Sequence, residues 1–362
     1  MIEFVRRLGL GLVLICLSAA LLLYTDRGSR RDARARRGKD QPIRIALVQH
    51  TSLLALDDGV RGAVERLAEL GYRDGERISL SRFNAEGDLG TANTIARAVT
   101  GGDFDLIISI STPSLQTIAN ANRTGARTRH VFGVVTDPVG AGVGISPDNA
   151  MEHPPFMTGY GSMQPVDQIF AIARRMNPSV KRVGLVWNAS EVNSLALTRV
   201  ARKVASAMGI ELLEANAENT TAVLEAGTSL FSRGIDALWI SGDITVGSSS
   251  DVLIAAALRW GVPVFTSAPP RIQQGAVFDL GSDFVELGRT IGELAAEVLN
   301  GADPADIPVR NVVPLRFLYN EVVIPRLKTP WTIPEDLKAT AAGWINRSST
   351  NLTAFESPAK RP

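Results

Sequence analysis

The chain has 362 residues, enough for two domains, and 45% of them are hydrophobic while only 6% are aromatic. A single cysteine, Cys16, excludes an internal disulfide, and three isolated histidines argue against a zinc site built from a Cys/His cluster. The net charge is +1, yet residues 26–40 alone hold seven Lys/Arg and three Asp, so the rest of the chain is slightly acidic and a nucleic-acid partner is not expected.

The N-terminus carries the longest apolar run of the chain. Arg6 and Arg7 precede residues 8–24, LGLGLVLICLSAALLLY. This run predicts a signal anchor or signal peptide over residues 1–25, and the anchor is favoured because the small residues that suit a signal peptidase lie inside the run. Residues 26–42 are expected to form a basic linker beside lipid head groups. The positive-inside rule would keep so basic a flank in the cytoplasm, which conflicts with export of the folded body.

From residue 43 onward, short apolar runs alternate with segments of helical periodicity. Four runs predict strands and three segments between them predict helices. In chain order these are strand 43–48, helix 56–71, strand 78–85, helix 91–102, strand 104–111, helix 113–125 and strand 130–135. Repeated strand–helix units predict a parallel sheet with helices on both faces.

The same pattern recurs in the second half of the chain. The predicted elements are strand 181–187, helix 195–209, strand 235–241, helix 251–261 and strand 262–267. A further helix is predicted at 283–300, with Asp283 as its cap. The simplest interpretation is α/β: two Rossmann-like lobes with parallel sheets. One large sheet is the alternative.

Polar side chains follow most of the predicted strands. Open parallel sheets bind ligands outside the carboxyl ends of their strands. The polar residues at these strand ends lie in Thr112-Pro113-Ser114, Thr136-Asp137-Pro138, Asn188-Ala189-Ser190-Glu191 and Gly242-Asp243-Ile244-Thr245. No catalytic set is present among them. If the two lobes face each other, these strand ends line one cleft.

Several blocks, in this order and spacing, resemble one known family. They are STPS (111–114), TDPVGAG (136–142), TGYGSMQPVDQ (158–168), NPSVKRVGLVWNASEVNS (177–194), SGDITV (241–246), LGRTIGELAAEVLNGADPADIPV (287–309) and FLYNEVVIPRLKTPWTIPEDLKATA (317–341). Together they are similar to ABC transporter substrate-binding proteins of the tryptophan- or aromatic-amino-acid-binding type. The chain departs from the family at Ile244, where an Asn is usual, and at residues 146–157, which replace a short Gly-Asn segment.

The resemblance implies type I periplasmic-binding-protein architecture, to which the N-terminal run would add a membrane helix. Such proteins close two lobes around a solute by bending at hinge segments. The resemblance implies three crossings between the lobes. The implied division is lobe 1 at 43–157 plus 283–307, lobe 2 at 158–282 plus 308–345, and a disordered tail at 346–362.

A zwitterionic solute requires a site for each of its charges. Its carboxylate can sit at the N-terminus of the helix that begins near Pro113, with hydroxyl donors from Thr112 and Ser114. Its ammonium group requires an acidic partner. The predicted ligand-binding residues are Thr112, Ser114, Asp137, Asn188, Glu191, Asn193, Ser194, Asp243 and Thr245. Candidates for an apolar or aromatic wall are Phe132, Tyr160 and Trp187. Helix caps, turn residues and core positions are the structural alternatives for these residues.

These features predict a solute-binding component that hands a small solute, such as an amino acid, to an ABC permease. It would act outside the cytoplasm as a monomer, tethered to the inner membrane by residues 8–24, with no cofactor, metal or catalytic residue. A membrane-anchored sensory ectodomain acting through a partner signalling protein is the alternative. A repressor is rejected because residues 1–42 hold no helix-turn-helix. An enzyme is not expected because the phosphate-loop, nucleophile-elbow and zinc-protease motifs are absent from the sequence.

Overall fold

The computed structural model describes residues 17–18, 41–124, 127–267, 271–346 and 353–354. The expected membrane anchor, nearly all of the basic linker and most of the expected C-terminal tail therefore lie outside the described residues. Within the described ranges, no helix is both long enough and apolar enough to cross a membrane.

The elements follow the alternation that the sequence predicts. The strands are β1 (Ile43–Gln49), β2 (Ile78–Asn84), β3 (Leu106–Ile110), β4 (Arg129–Val135), β5 (Met157–Gly161), β6 (Arg182–Trp187), β7 (Glu211–Asn216), β8 (Ala237–Ile240), β9 (Val264–Thr266), β10 (Phe278–Ser282), β11 (Arg310–Asn311), β12 (Leu315–Asn320), β13 (Gly343–Ile345) and β14 (Thr353–Ala354). The α-helices are α1 (Leu54–Glu69), α2 (Leu89–Gly101), α3 (Thr112–Thr124), α4 (Val166–Met176), α5 (Val192–Ala207), α6 (Val223–Ser232), α7 (Ile244–Ser248), α8 (Ser250–Arg259), α9 (Phe284–Leu299) and α10 (Glu335–Thr340).

Two sheets form the two lobes. The first has the order β11-β5-β4-β3-β1-β2, and its pairs are parallel. The second has the order β14-β13-β12-β10-β9-β8-β6-β7. Its pairs from β7 to β10 are parallel, whereas β12 runs antiparallel to β10. The expected two-lobe α/β fold with parallel sheets is confirmed, with antiparallel pairing added at one side of the second sheet.

The chain stays in the first sheet beyond residues 158 and 308, the two positions at which it was expected to enter the second lobe. β5 pairs with β4 through Gly161, beyond the expected change of lobe at residue 158. β11 also pairs with β5, although residues from 308 onward were expected in the second lobe. Both strands are short and lack an apolar run, so the sequence gives little sign of them.

Helix α9 returns from the second sheet to pack on the first lobe against α1. The two helices touch through glycines that leave no room for a side chain. A Cβ atom on Gly62 would lie 2.0 Å from the carbonyl oxygen of Val285, and one on Gly288 would lie 2.2 Å from the carbonyl oxygen of Gly59. Because the N-termini of α1 and α9 both face the other lobe, this close contact fixes one wall of the cleft between the lobes.

Candidate functional site

A cavity of about 60 Å³ lies between the carboxyl ends of the two sheets. Both lobes contribute to it. Its lining residues are Leu53, Ala55, Leu56, Ser111, Thr112, Val134, Thr136, Ser162, Gln164, Asn193, Gly242, Asp243, Ile244, Arg271 and Phe284. So small a space has no room for an amino acid or a larger metabolite, so we expect the lobes to separate when a solute is admitted.

The first lobe supplies an apolar wall. Leu53 and Leu56 come from the start of α1, Phe284 from the start of α9, and Val134 from the end of β4. Val134 has a φ of 54°, which is rare for a β-branched residue, and it lies where the register between β4 and β5 shifts. Such a bulge re-aims a side chain, and here it turns Val134 into the cavity.

The N-terminus of α3 forms the polar part of the same wall. Ser111 and Thr112 both line the cavity. Ser111 lies between the last residue of β3 and the first residue of α3, and it has a φ of 109°. The Ser111 hydroxyl accepts from the Ser114 backbone N–H at 3.3 Å and contacts the Ser114 hydroxyl at 3.1 Å. Ser114 is therefore buried behind Ser111 and is not among the lining residues, although both Thr112 and Ser114 were predicted to bind the solute.

In the second lobe, Asp243 lines the cavity and caps α7. One carboxylate oxygen accepts from the Val246 N–H at 2.7 Å and the other from the Asn188 N–H at 2.7 Å. Ser194 accepts a longer bond from the same Asn188 N–H. Burial, aided by the negative charge of Glu191, raises the pKa of Asp243 from 3.8 to about 6. A cation in the cavity would oppose that shift.

Glu191 is turned away from the cavity and holds the start of α7. Its carboxylate accepts from the backbone N–H groups of Ile244 and Thr245 at 2.9 and 2.8 Å and from the Thr245 hydroxyl at 2.5 Å. Asn188 donates to that hydroxyl at 2.9 Å. The predicted binding residues Asn188, Glu191, Ser194 and Thr245 are thus bonded to each other and to backbone, and none of them lines the cavity.

Asn193 and Gln164 bring two free acceptors to the cavity. The Asn193 amide nitrogen donates to Glu191 at 3.0 Å and to the Gly242 carbonyl at 3.1 Å, which fixes the orientation of the amide. Its oxygen is buried and has no partner among the described residues, and the same holds for the side-chain oxygen of Gln164. Together with Asp243 they offer three acceptors, the number that an ammonium group can satisfy.

Arg271 is the cationic residue of the cavity. It follows β9 and opens a 3₁₀ turn, Arg271–Gln274. Its guanidinium donates a long bond of 3.4 Å to the Ser241 carbonyl. Burial lowers the pKa of Arg271, and the charges of Asp279 and Asp243 oppose that shift. Arg271 was not among the residues predicted from the sequence, although it is the sole charge between Arg259 and Asp279 and follows β9 by five residues.

Four other predicted candidates lie elsewhere. Asp137 accepts the Gly140 N–H at 2.9 Å within its own turn, and it is not among the lining residues.

The expected aromatic wall is not formed by the predicted residues. Phe132 is fully buried in the first lobe, Tyr160 packs against a core of that lobe, and Trp187 packs against the core of the second lobe under Arg202. Phe284, which no sequence pattern marked, takes that place.

Comparison with known proteins relates the chain to solute-binding proteins. The family described as ABC transporter substrate binding protein matches residues 44–344. A tyrosine-binding protein of Clostridioides difficile (strain R20291) is 31% identical over 281 residues, which cover 78% of this chain and 79% of the relative.

Two solved structures extend the comparison. An ABC domain from Streptococcus pneumonia in complex with L-Trp is 26% identical, covers 84% of this chain and all of its own, and superposes with a TM-score of 0.78. The ligand-free, open structure of a substrate-binding protein with adhesive properties from Clostridium difficile is 28% identical and covers 80% of this chain and 96% of its own. Its TM-score is 0.61.

We predict that Glu191 stabilises the second lobe. Glu191→Ala leaves two backbone N–H groups of α7 without an acceptor, each costing about 1–3 kcal/mol if it stays buried. Urea unfolding should therefore show a loss of about 2–4 kcal/mol relative to the unchanged chain. The exposed Glu218→Ala is the matched control, with a change within about 0.5 kcal/mol. Equal stability of the two variants would show that the Glu191 carboxylate does not hold α7.

Proposed function

The chain belongs to the family of ABC transporter substrate-binding proteins, and we propose that the solute it binds is a free aromatic amino acid. The protein is the solute-binding component of an ABC transporter, a class that acts outside the cytoplasm. In the proposal, the cleft closes on the amino acid and a membrane permease receives it. The apolar run at residues 8–24 would tether the protein to the membrane that holds the permease.

The proposal rests on one observation: a cationic residue, an anionic residue and an apolar wall all line the same cavity. Arg271 and Asp243 line the same cavity, and the structure places no ion pair between them. A zwitterion supplies a carboxylate for the guanidinium and an ammonium group for the carboxylate. The first lobe then faces the side chain of the amino acid with Leu53, Leu56 and Phe284.

Each charged end of the amino acid has neutral partners as well. The carboxylate would be bound by Arg271 with the Thr112 hydroxyl as a further donor. The ammonium group would donate to Asp243 and to the free oxygens of Asn193 and Gln164. Of the residues predicted from sequence, Thr112, Asn193 and Asp243 keep a direct role in this arrangement. The remaining six would support the site through the backbone or lie outside it.

The relatives support an aromatic side chain. One is named for tyrosine, and another was solved with L-Trp. The chain superposes better on the L-Trp complex than on the open, ligand-free structure, with TM-scores of 0.78 and 0.61, although the two relatives are about equally similar in sequence. The lobes thus lie nearer to a bound arrangement, which fits the small volume of the cavity.

A solute screen tests the proposed function. We predict that L-tyrosine, L-tryptophan or L-phenylalanine raises the melting temperature of the purified protein, because a solute at 100 times its Kd adds about 2.7 kcal/mol of stability. Arg271→Met should lower the affinity by about 30-fold or more, as expected when one partner of a buried charge pair is removed. No shift with any of the twenty amino acids at millimolar concentration would contradict the proposal.

We also predict that affinity falls as pH drops through about 6. Asp243 has a pKa of about 6 when the cavity is empty, and an ammonium partner would lower that pKa, so a bound solute expels the proton. From pH 6.5 to 5.0 the Kd should rise about tenfold. Asp279, with a pKa of about 7, is mostly neutral across this range.

Calorimetric titration at several pH values measures this dependence. Asp243→Asn should bind weakly and without the change in Kd between pH 5.0 and 6.5. Asp137→Asn is the matched control, because Asp137 lies outside the cavity, and it should keep the profile of the unchanged protein. A flat profile in the unchanged protein would mean that Asp243 does not bind the ammonium group.

A further inference from the structure

The guanidinium of Arg271 has few polar partners of its own. Within the described part of the chain no carboxylate lies within 4.0 Å of it, and its hydrogen bond to the Ser241 carbonyl is long, at 3.4 Å. An arginine side chain has many rotamers, and one with so few polar partners depends on the backbone that carries it for its position.

Two buried side chains, Asp279 and Asn320, hold that backbone by hydrogen bonds to Ile272; we call this pair the clamp. The N–H of Ile272 donates to Asp279 Oδ2 at 2.9 Å, and the carbonyl of Ile272 accepts from Asn320 Nδ2 at 2.8 Å. Asp279 lies on β10 and Asn320 ends the neighbouring antiparallel strand β12; both are buried. The sheet beneath the cleft therefore holds both polar groups of the residue next to Arg271.

Burying the carboxyl group of Asp279 costs desolvation free energy, although it binds only one N–H group. It is fully buried, its Oδ1 has no partner among the described residues, and burial raises its pKa from 3.8 to about 7. A buried polar group left partly unsatisfied requires an explanation, because an apolar side chain at the same place would avoid the desolvation. Among the described residues, the bond from the Ile272 N–H is the one hydrogen bond that its oxygens make.

We propose that Asp279 and Asn320 are positioning residues for the solute: by fixing the backbone of Ile272, they hold the Arg271 guanidinium in the cleft before the solute arrives. The inference rests on the proposed function, in which Arg271 binds the solute carboxylate. A side chain that is already placed loses less rotamer freedom on binding, so affinity rises without any new contact.

Calorimetry with L-tyrosine tests the clamp. Asp279→Ala and Asn320→Ala should each raise the Kd about three- to tenfold, the range set by ordering one long side chain. Asp279→Asn keeps an oxygen for the Ile272 N–H, so it should bind about as tightly as the unchanged protein. The exposed Asp251→Ala on α8 is the control and should leave the Kd unchanged. An unchanged Kd in Asp279→Ala, or an equal loss in Asp279→Asn, would overturn the clamp.

A second experiment separates positioning from a general loosening of the lobe. In an Arg271→Met background, Asp279→Ala should raise the Kd no further, because its effect passes through Arg271. Equal losses in both backgrounds would overturn the inference. Crystal structures of the empty protein and of its Asp279→Ala variant should differ in the position of the guanidinium, and an unmoved guanidinium would also overturn it. Because this comparison requires no solute, it gives an answer even if the protein binds no amino acid and the proposed function fails.

Discussion

The central constraint is the burial of charge in the cleft. A buried anion, Asp243, and a partly buried cation, Arg271, must each find a partner of opposite charge. Arg271 and Asp243 line one cavity, and neither is neutralised by an ion pair with the other. Burial lowers the pKa of Arg271 and raises that of Asp243, so each charged form is held at a cost in the empty protein. In the proposed function, a bound zwitterion would offset both costs together.

The fold makes this arrangement possible by bringing strand ends from two sheets together. Each sheet presents its carboxyl ends to the other, so loops that are far apart in sequence meet across the cavity. Helix α9 then ties the lobes, because it follows β10 of the second sheet yet packs on α1 of the first through Gly62 and Gly288. That contact between α1 and α9 positions Leu53, Leu56 and Phe284, which form the apolar wall of the cavity. Because both lobes contribute lining residues, a solute in the cavity would contact both of them.

Much of the fold could be predicted because buried parallel strands and amphipathic helices leave strong periodic signals. The strands and helices predicted for residues 43–135, and five elements between residues 181 and 267 with the helix at 283–300, were expected from those signals, and so was the meeting of Thr112, Asn193 and Asp243 in one cleft. The rest depends on tertiary contacts. Glu191 follows a strand just as Asp243 does, but only the fold shows that it bonds to α7, 53 residues away. Arg271 follows the three-residue strand β9, and Val134 enters the cavity through a bulge; neither feature has a periodic signal.

The most direct measurement removes the charges of the solute one at a time. Calorimetry would compare L-tyrosine with tyramine, which lacks the carboxylate, and with 3-(4-hydroxyphenyl)propionate, which lacks the ammonium group. If Arg271 and Asp243 each bind one end of a zwitterion, L-tyrosine binds at least about 30-fold more tightly than either analogue, the usual cost of leaving a buried charge unpaired. Binding of either analogue as tight as that of L-tyrosine would contradict the account.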